Sequence, residues 1–199
     1  MTRTAITGGI GSGKSYVCRL LRQRGIDVYD CDTAAKRLMR TSPALRQQLT
    51  SLIGPEAYTA DDGGRAVLNK AAVARFLLQS QANAKTIDDI VHPAVAADFM
   101  ASGMQWLESA ILFQADFHRR VHFDHVVVVT APEEVRLQRI MERDGITRQK
   151  ALDWIRQQWT QQRTLAMADY EIVNDGLTPL EPQIENILQS INTQGPVPL

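Results

Sequence analysis

Cysteine is almost missing from these 199 residues: Cys18 and Cys31 are the only two, and nothing pairs their spacing. That excludes a disulfide scaffold and a cysteine-built zinc site. Charge of one sign is not in excess, since 22 basic residues meet 22 acidic ones. A dedicated nucleic-acid binder usually carries a basic stripe, so nucleic acid is not an expected partner. No apolar run approaches the ~20 residues that span a bilayer, so no membrane helix is expected. The opening "MTRTAITGG" enters a glycine motif at once, where a secretory signal would need an apolar stretch. These absences leave a soluble, cytoplasmic protein as the expectation, with no obligate protein partner indicated. The length suits one domain with insertions, and a hydrophobic fraction of 44% argues against wholesale disorder.

What is present alternates. "RTAIT" (3–7) reads as a strand running into glycines, and Val17, Leu20 and Leu21 recur at helical spacing from Ser15 to Arg24. "IDVYD" (26–30) reads as a second strand and "TAAKRLM" as the start of a helix. Residues 41 to about 104 change character: proline and glycine punctuate the first part, an alanine-rich helical stretch follows, and no strand is expected. "WLESAILF" (106–113) and "HVVVVT" (125–130) return to strand character, the second suited to a fully buried parallel strand. A helix from Pro132 to about Arg143, a long one from Thr147 to Met167, a strand at "YEIVN" and a helix over 178–192 complete the pattern. The tail "TQGPVPL" is expected to fray.

Strands alternating with helices predict an α/β fold, a doubly wound parallel sheet of about five strands that binds ligands at the carboxyl ends of its strands. On this reading the core is about 1–40, 105–140 and 168–192, with a helical insertion at about 41–104 and a lid at about 141–167.

"GGIGSGKS" matches G-x4-G-K-[ST] through Gly8, Gly13, Lys14 and Ser15. Glycines let consecutive backbone N–H groups face inward around phosphate oxygens, and the positive end of the next helix points at the same place. Lys14 then reaches the β- and γ-phosphates, and the Ser15 hydroxyl ligates Mg2+. The candidate nucleotide residues are Gly9, Gly11, Ser12, Gly13, Lys14, Ser15 and Tyr16. A strand before the motif and a helix after it argue against a chance glycine turn. A GTPase would offer Asn-Lys-x-Asp, but "NKAA" (69–72) lacks the aspartate, which favours ATP.

Arginines supply a second signal. Arg136, Arg139 and Arg143 are three and four residues apart and share a helical face, with Arg148 just beyond a polar break. Converging arginines on a lid would offset charge on a transferring phosphoryl group. The alternative is a solvated face paired with Glu133, Glu134 and Glu142. Arg139 and Arg143 are the preferred pair.

The stretch "DCD" places Asp30 and Asp32 where a strand hands over to a helix. Asp32 suits an N-cap. If the strand extends through Cys31, both carboxylates share one face and either accept a proton from an attacking hydroxyl or hold Mg2+ through water. Cys31 then points away and packs.

With those residues assembled, the chain resembles the dephospho-CoA kinases over about residues 4–190. The motifs that carry the resemblance are "TGGIGSGKS", "DCD", "VHP" (91–93), "RLQRIMERDGITRQ" and "ADYEIVNDG", in the family's order. The resemblance implies ATP-dependent phosphorylation of the ribose 3′-hydroxyl of dephospho-CoA. It makes Asp32 the catalytic aspartate, Lys14 and Arg139 its partners in catalysis, and Asp30, Asp32 and His92 the acceptor-side residues. Arg143 and Asn174 fall on the nucleotide side, Asn174 by the adenine. Without it, His92 is an ordinary helix-cap or core histidine, or a marker of a turn before Pro93.

Two departures stand out. The family's proline and closing glutamate in its D-x-P-L-L-F-E strand are Ala110 and Gln114 here, and its Glu-Lys pair after Gln158 reads Arg163-Thr164. The missing carboxylate bears on a contact to substrate or lid, and Arg163 receives no role. Trp106, Trp154 and Trp159 read as packing residues. Two other functions fit the motifs: another small-molecule kinase on this scaffold, or a non-catalytic nucleotide switch.

Overall fold

The structure is a computed structural model that describes residues 2–194. The expected fraying of the tail falls mostly on residues 195–199, outside the described residues, and Thr193 and Gln194 still belong to a helix.

Among the described residues seven strands form: β1 (Thr4–Thr7), β2 (Val28–Asp30), β3 (Tyr58–Ala60), β4 (Ala66–Leu68), β5 (Trp106–Glu108), β6 (His125–Thr130) and β7 (Tyr170–Val173). Five of them make one sheet in the order β2-β5-β1-β6-β7, every pairing parallel. The expected doubly wound α/β architecture is therefore the observed one. β1 lies in the middle, and the chain builds to one side of it and then to the other. The loop after β1 thus opens at the reversal of strand order, where such sheets bind ligands.

Burial explains the sheet's composition. "HVVVVT" is buried at all six positions of β6, as a strand covered on both faces requires. Val17, Leu20 and Leu21 of α1 (Lys14–Gln23) pack with Ile184, Ile187 and Ile191 of α10 (Leu180–Gln194) onto Ile6, Val127, Val129 and Ile172. Trp106 joins this core. Leu137 and Ile140 of α7 (Glu133–Asp144) pack with Ala151 and Ile155 of α8 (Arg148–Arg156), and Trp154 lies against them.

Residues through Asp30 and from Gly103 onward form one compact unit, and Cys31–Ser102 form another. The second unit contains α2 (Cys31–Thr41), α3 (Pro43–Ile53), α4 (Lys70–Gln79) and α5 (Gln81–Ser102). Among the described residues, no helix is long and apolar enough to cross a membrane.

Several expectations need correction. The second unit does hold strands: β3 and β4 pair as an antiparallel hairpin. Asp61 Oδ1 closes its turn by accepting the N–H groups of Gly63 and Arg65 at 2.9 and 2.8 Å, while Gly64 takes a φ of 74° that a side chain would resist. Three-residue strands are too short to show a period. β5 ends at Glu108, and turns followed by α6 (Phe117–Arg120) replace the rest of the expected strand. The long helix to Met167 is two helices, α8 and α9 (Gln161–Leu165), with Trp159 in the break between them. Thr160 restarts the second by accepting the Arg163 N–H at 3.2 Å. α5 passes through His92 and Pro93 with no turn there.

Candidate active site

The loop from Gly8 to Gly13 leads from β1 into α1. Its shape depends on glycine at two close approaches. Gly13 has a φ of 86°, and a Cβ there would lie 2.0 Å from Asn174 Nδ2. Gly11 has a φ of 79°, and its Cβ would lie 2.6 Å from the Arg136 carbonyl oxygen. The N-cap of α1 is Gly13, no side chain caps it, and the first turn holds no acid. Its N–H groups and the positive end of its dipole therefore remain for an anion. Ser12 Oγ, buried within the loop, also lacks a hydrogen-bond partner.

These groups line a cleft of about 390 Å³, together with Lys14, Ser15, Arg139, Arg143 and Gln158. Gly9, Gly11, Ser12 and Gly13 all border it. Lys14 is buried and its ammonium is salt-bridged to Glu108 at the end of β5. Parallel pairing sets Glu108 beside Ile6 on one side and Asp30 on the other, so two carboxylates end neighbouring strands near that lysine. Tyr16 is not in the cleft's lining; its ring is exposed and carries the Arg19 guanidinium 4.7 Å from its centroid.

The four arginines part company. Arg136 is buried, its Nε donates to the Ile10 carbonyl at 2.9 Å, and burial lowers its pKa. Arg139 donates through Nη1 to the carbonyls of Asn174 (3.0 Å), Ser12 (3.3 Å) and Gly11 (3.4 Å), and through Nη2 to Asn174 Oδ1 at 3.2 Å. Arg143 lines the cleft while paired with its neighbour Asp144. Arg148 grips Glu134 with both Nη atoms at 2.8 and 2.6 Å, and that hydrogen bonding lowers the Glu134 pKa. For Arg148 the solvated-face alternative holds.

Asn174 is a brace. Its buried amide donates to the Ser12 carbonyl at 2.9 Å, accepts from Arg139, and its own N–H reaches the Thr130 carbonyl at 2.8 Å. Loop, strand end and α7 are thereby tied at one residue.

In the unit formed by Cys31–Ser102, the expectations for the acids change. α2 begins at Cys31, so strand alternation does not run from Asp30 to Asp32, and Asp32 lies in the first turn of the helix rather than at its cap. Its carboxylate is exposed and salt-bridged to Lys36 one turn on. His92 Nε2 lies 3.6 Å from Asp88 Oδ1 within α5. Cys18 is buried, Cys31 is half-buried, and neither is in a disulfide.

Sequence reasoning missed Glu108 as the partner of Lys14, Arg136 as an anchor of the loop, and Gln158 as part of the cleft. Strand register carries the first, and no local pattern announces register between β1, β2 and β5. Gln114, standing where the resemblance leads one to expect glutamate, spans the break after α8. Its Nε2 donates to the Gln157 carbonyl at 3.1 Å and its Oε1 accepts the Trp159 N–H at 3.0 Å. A carboxylate could do only the second.

Donor chemistry here suits Mg2+ in one respect. The Ser15 hydroxyl borders the cleft, and Asp30 and Glu108 provide hard oxygens at the adjoining strand ends. Among the described residues there is no group of three His, Cys, Asp or Glu able to hold a metal by itself. Mg2+ in phosphoryl-transfer sites is held largely by substrate phosphates, so such a group is not required.

Comparison with known proteins reaches the same region of chemistry. The family model CoaE, dephospho-CoA kinase, matches residues 3–179. A dephospho-CoA kinase from Porphyromonas gingivalis is 38% identical, covering 100% of this chain and 98% of its own. A crystal structure of TT1252 from Thermus thermophilus matches with a TM-score of 0.75 at 30% identity, covering 97% of each chain. A dephospho-CoA kinase from Campylobacter jejuni, at 16% identity and a TM-score of 0.64 over 96% of this chain and 98% of its own, shows the same fold.

Proposed function

The chain belongs to the dephospho-CoA kinase family, and from that premise we propose that it transfers the γ-phosphoryl group of ATP to the ribose 3′-hydroxyl of dephospho-CoA. The products are coenzyme A and ADP. The observation that carries the reading is the cleft itself: an uncapped helix N-terminus, a glycine cradle, Lys14, Arg139 and Arg143 face one volume. Such a site suits a polyphosphate and little else.

In the reaction, the 3′-oxygen forms a bond to the γ-phosphorus while the bond to the β,γ-bridging oxygen breaks. Little covalent work falls to the protein; positioning and electrostatics do most of it. Gly9, Gly11 and Gly13 present backbone N–H groups to the phosphates, while the Ser12 N–H closes the loop onto the Gly9 carbonyl at 3.0 Å and leaves its hydroxyl for the ligand. Lys14 exchanges Glu108 for the β- and γ-oxygens, and Arg139 and Arg143 offset the charge that develops there. Ser15 would hold Mg2+, with Asp32 as a partner through water; bound there, the ion would neutralise phosphate charge.

Asp32 takes the proton of the 3′-hydroxyl, with Asp30 and His92 on the acceptor side. Residues 41–104 bind the acceptor and 141–167 act as the lid, the remainder being the nucleotide core. Asn174 serves the nucleotide side by bracing the loop. The protein works in the cytoplasm, without nucleic acid or an obligate protein partner.

A coupled ADP-release assay with parallel acceptors tests this: dephospho-CoA, nucleoside monophosphates and shikimate. ADP release that requires dephospho-CoA is the expected result. Turnover confined to another acceptor would reassign the substrate, and slow hydrolysis indifferent to every acceptor would mean a nucleotide switch.

A further inference from the structure

Gln158 stands in the break between α8 and α9, where the chain stops being helical, and it lines the phosphate cleft. Its Oε1 accepts the Ile10 N–H at 2.7 Å. Only the oxygen end of an amide meets an N–H, so this bond decides which end of the side chain is which. Nε2 is the opposite end, and among the described residues it has no hydrogen-bond partner.

The arrangement is held from both sides. Gln114 bonds the backbone immediately before and after Gln158, at the Gln157 carbonyl and the Trp159 N–H. The Trp159 ring stacks on Phe113, with centroids 6.3 Å apart, and the Arg163 guanidinium sits 3.4 Å from its centroid. Ile10, the residue that receives Gln158, packs against Leu137, Ile140, Ala151 and Ile155. A side chain fixed at its root and at its oxygen has little freedom left in its nitrogen.

We infer that Gln158 contacts the nucleotide directly: its Oε1 docks on the phosphate loop and its Nε2 donates to the phosphate chain of ATP in the cleft. The docking bond uses one loop N–H, and the two hydrogens on Nε2 more than replace it as donors. The contribution is neutral, unlike those of Lys14, Arg139 and Arg143, so it orients oxygens without adding charge to the lid. The inference deepens the kinase reading and rests on it for the identity of the nucleotide.

Gln158→Glu keeps an oxygen for Ile10 and loses both Nε2 hydrogens, and because it also adds a negative charge the titration is repeated at high salt, where repulsion is screened and the lost donation remains. Calorimetric titration with ATP, with no acceptor present, is the measurement. A Kd at least ~10-fold weaker than wild type is expected, the size of one hydrogen bond to a charged group, with an unchanged melting temperature. Wild-type affinity in Gln158→Glu would overturn the inference, and weakened binding in Gln158→Ala alongside it would reduce Gln158 to a brace.

Should the glutamate variant not fold, the Gln158 side-chain amide resonance of the wild type is followed during ATP titration. A marked shift supports the contact, and an unmoved resonance refutes it. Wild type that binds ATP without phosphorylating dephospho-CoA would remove the acceptor assignment and leave this inference standing. Wild type that does not bind ATP would remove both.

Discussion

In the phosphate cleft, most of the charged and polar side chains are tied to backbone or to buried partners far away in the chain. Arg136 and Arg139 hold loop carbonyls, Asn174 holds the Ser12 carbonyl, and Lys14 lies on Glu108 with side-chain exposures of 9% and 12%. In the unit formed by Cys31–Ser102, three pairs instead lie along single helices, Asp32 with Lys36, Lys85 with Asp89 and His92 with Asp88, while Arg37 reaches from α2 to Asp98 of α5. Asp32 and Lys36 are 76% and 67% exposed, so water screens that pair and little holds it. The cleft's groups are held by contacts between distant parts of the chain, whereas Asp32 and Lys36 can be re-paired at small cost. That is what an acceptor-side residue needs if it must leave a lysine for a hydroxyl.

The sharpest way to break this contrast is Asp32→Asn. Turnover with dephospho-CoA should fall by about 10²- to 10⁴-fold, while ATP affinity and melting temperature stay as they are. Full turnover would show that the exposed acid plays no part in the chemistry. Asn174→Ala tests the other side. It strips the buried amide from Ser12 and Arg139, and should cost about 1–3 kcal/mol in denaturant unfolding. An unmoved midpoint would mean that the loop does not depend on its brace.

The smallest effect concerns Asp88. Burial raises its pKa, and Asp89 adds to the rise, against the opposing pull of His92 and Lys85. A raised carboxylate pKa means that the folded state holds the proton more tightly. Its contribution to stability is therefore complete below the ordinary carboxylate range and is lost as pH rises through the raised value. Asp88→Asn should flatten that decline, leaving the variant slightly more stable than wild type near neutral pH. Melting temperatures taken from about pH 3 to pH 8 would show it, and parallel curves would deny it.

What could be read in advance followed from local physics. β6 declares itself because four valines in a row suit only a strand buried on both faces. The loop declares itself because few uses of "GGIGSGKS" between a strand and a helix compete with phosphate binding. The arginine spacing was legible too, but not its outcome. One face of α7 supplies Arg136, which turns into the loop, Arg139, which bridges loop and Asn174, and Arg143, which stays at the rim. The hairpin of β3 and β4 was not legible, since three residues carry no period, nor was the break after α8. "QQWTQQR" is compatible with a helix, and what ends the helix is Gln114, some forty residues earlier, bonding the backbone on either side of Gln158.

The sequence by itself determined the parallel α/β architecture, the phosphate loop and the family, because each rests on periodicity or on residues adjacent in the chain. Only the tertiary structure decided that Glu108 meets Lys14, that Asn174 and Arg139 brace the loop, and that Gln158 docks on Ile10. Those contacts join residues from about 90 to more than 160 positions apart. They exist because strand register and helix packing bring them together, and no local pattern encodes either.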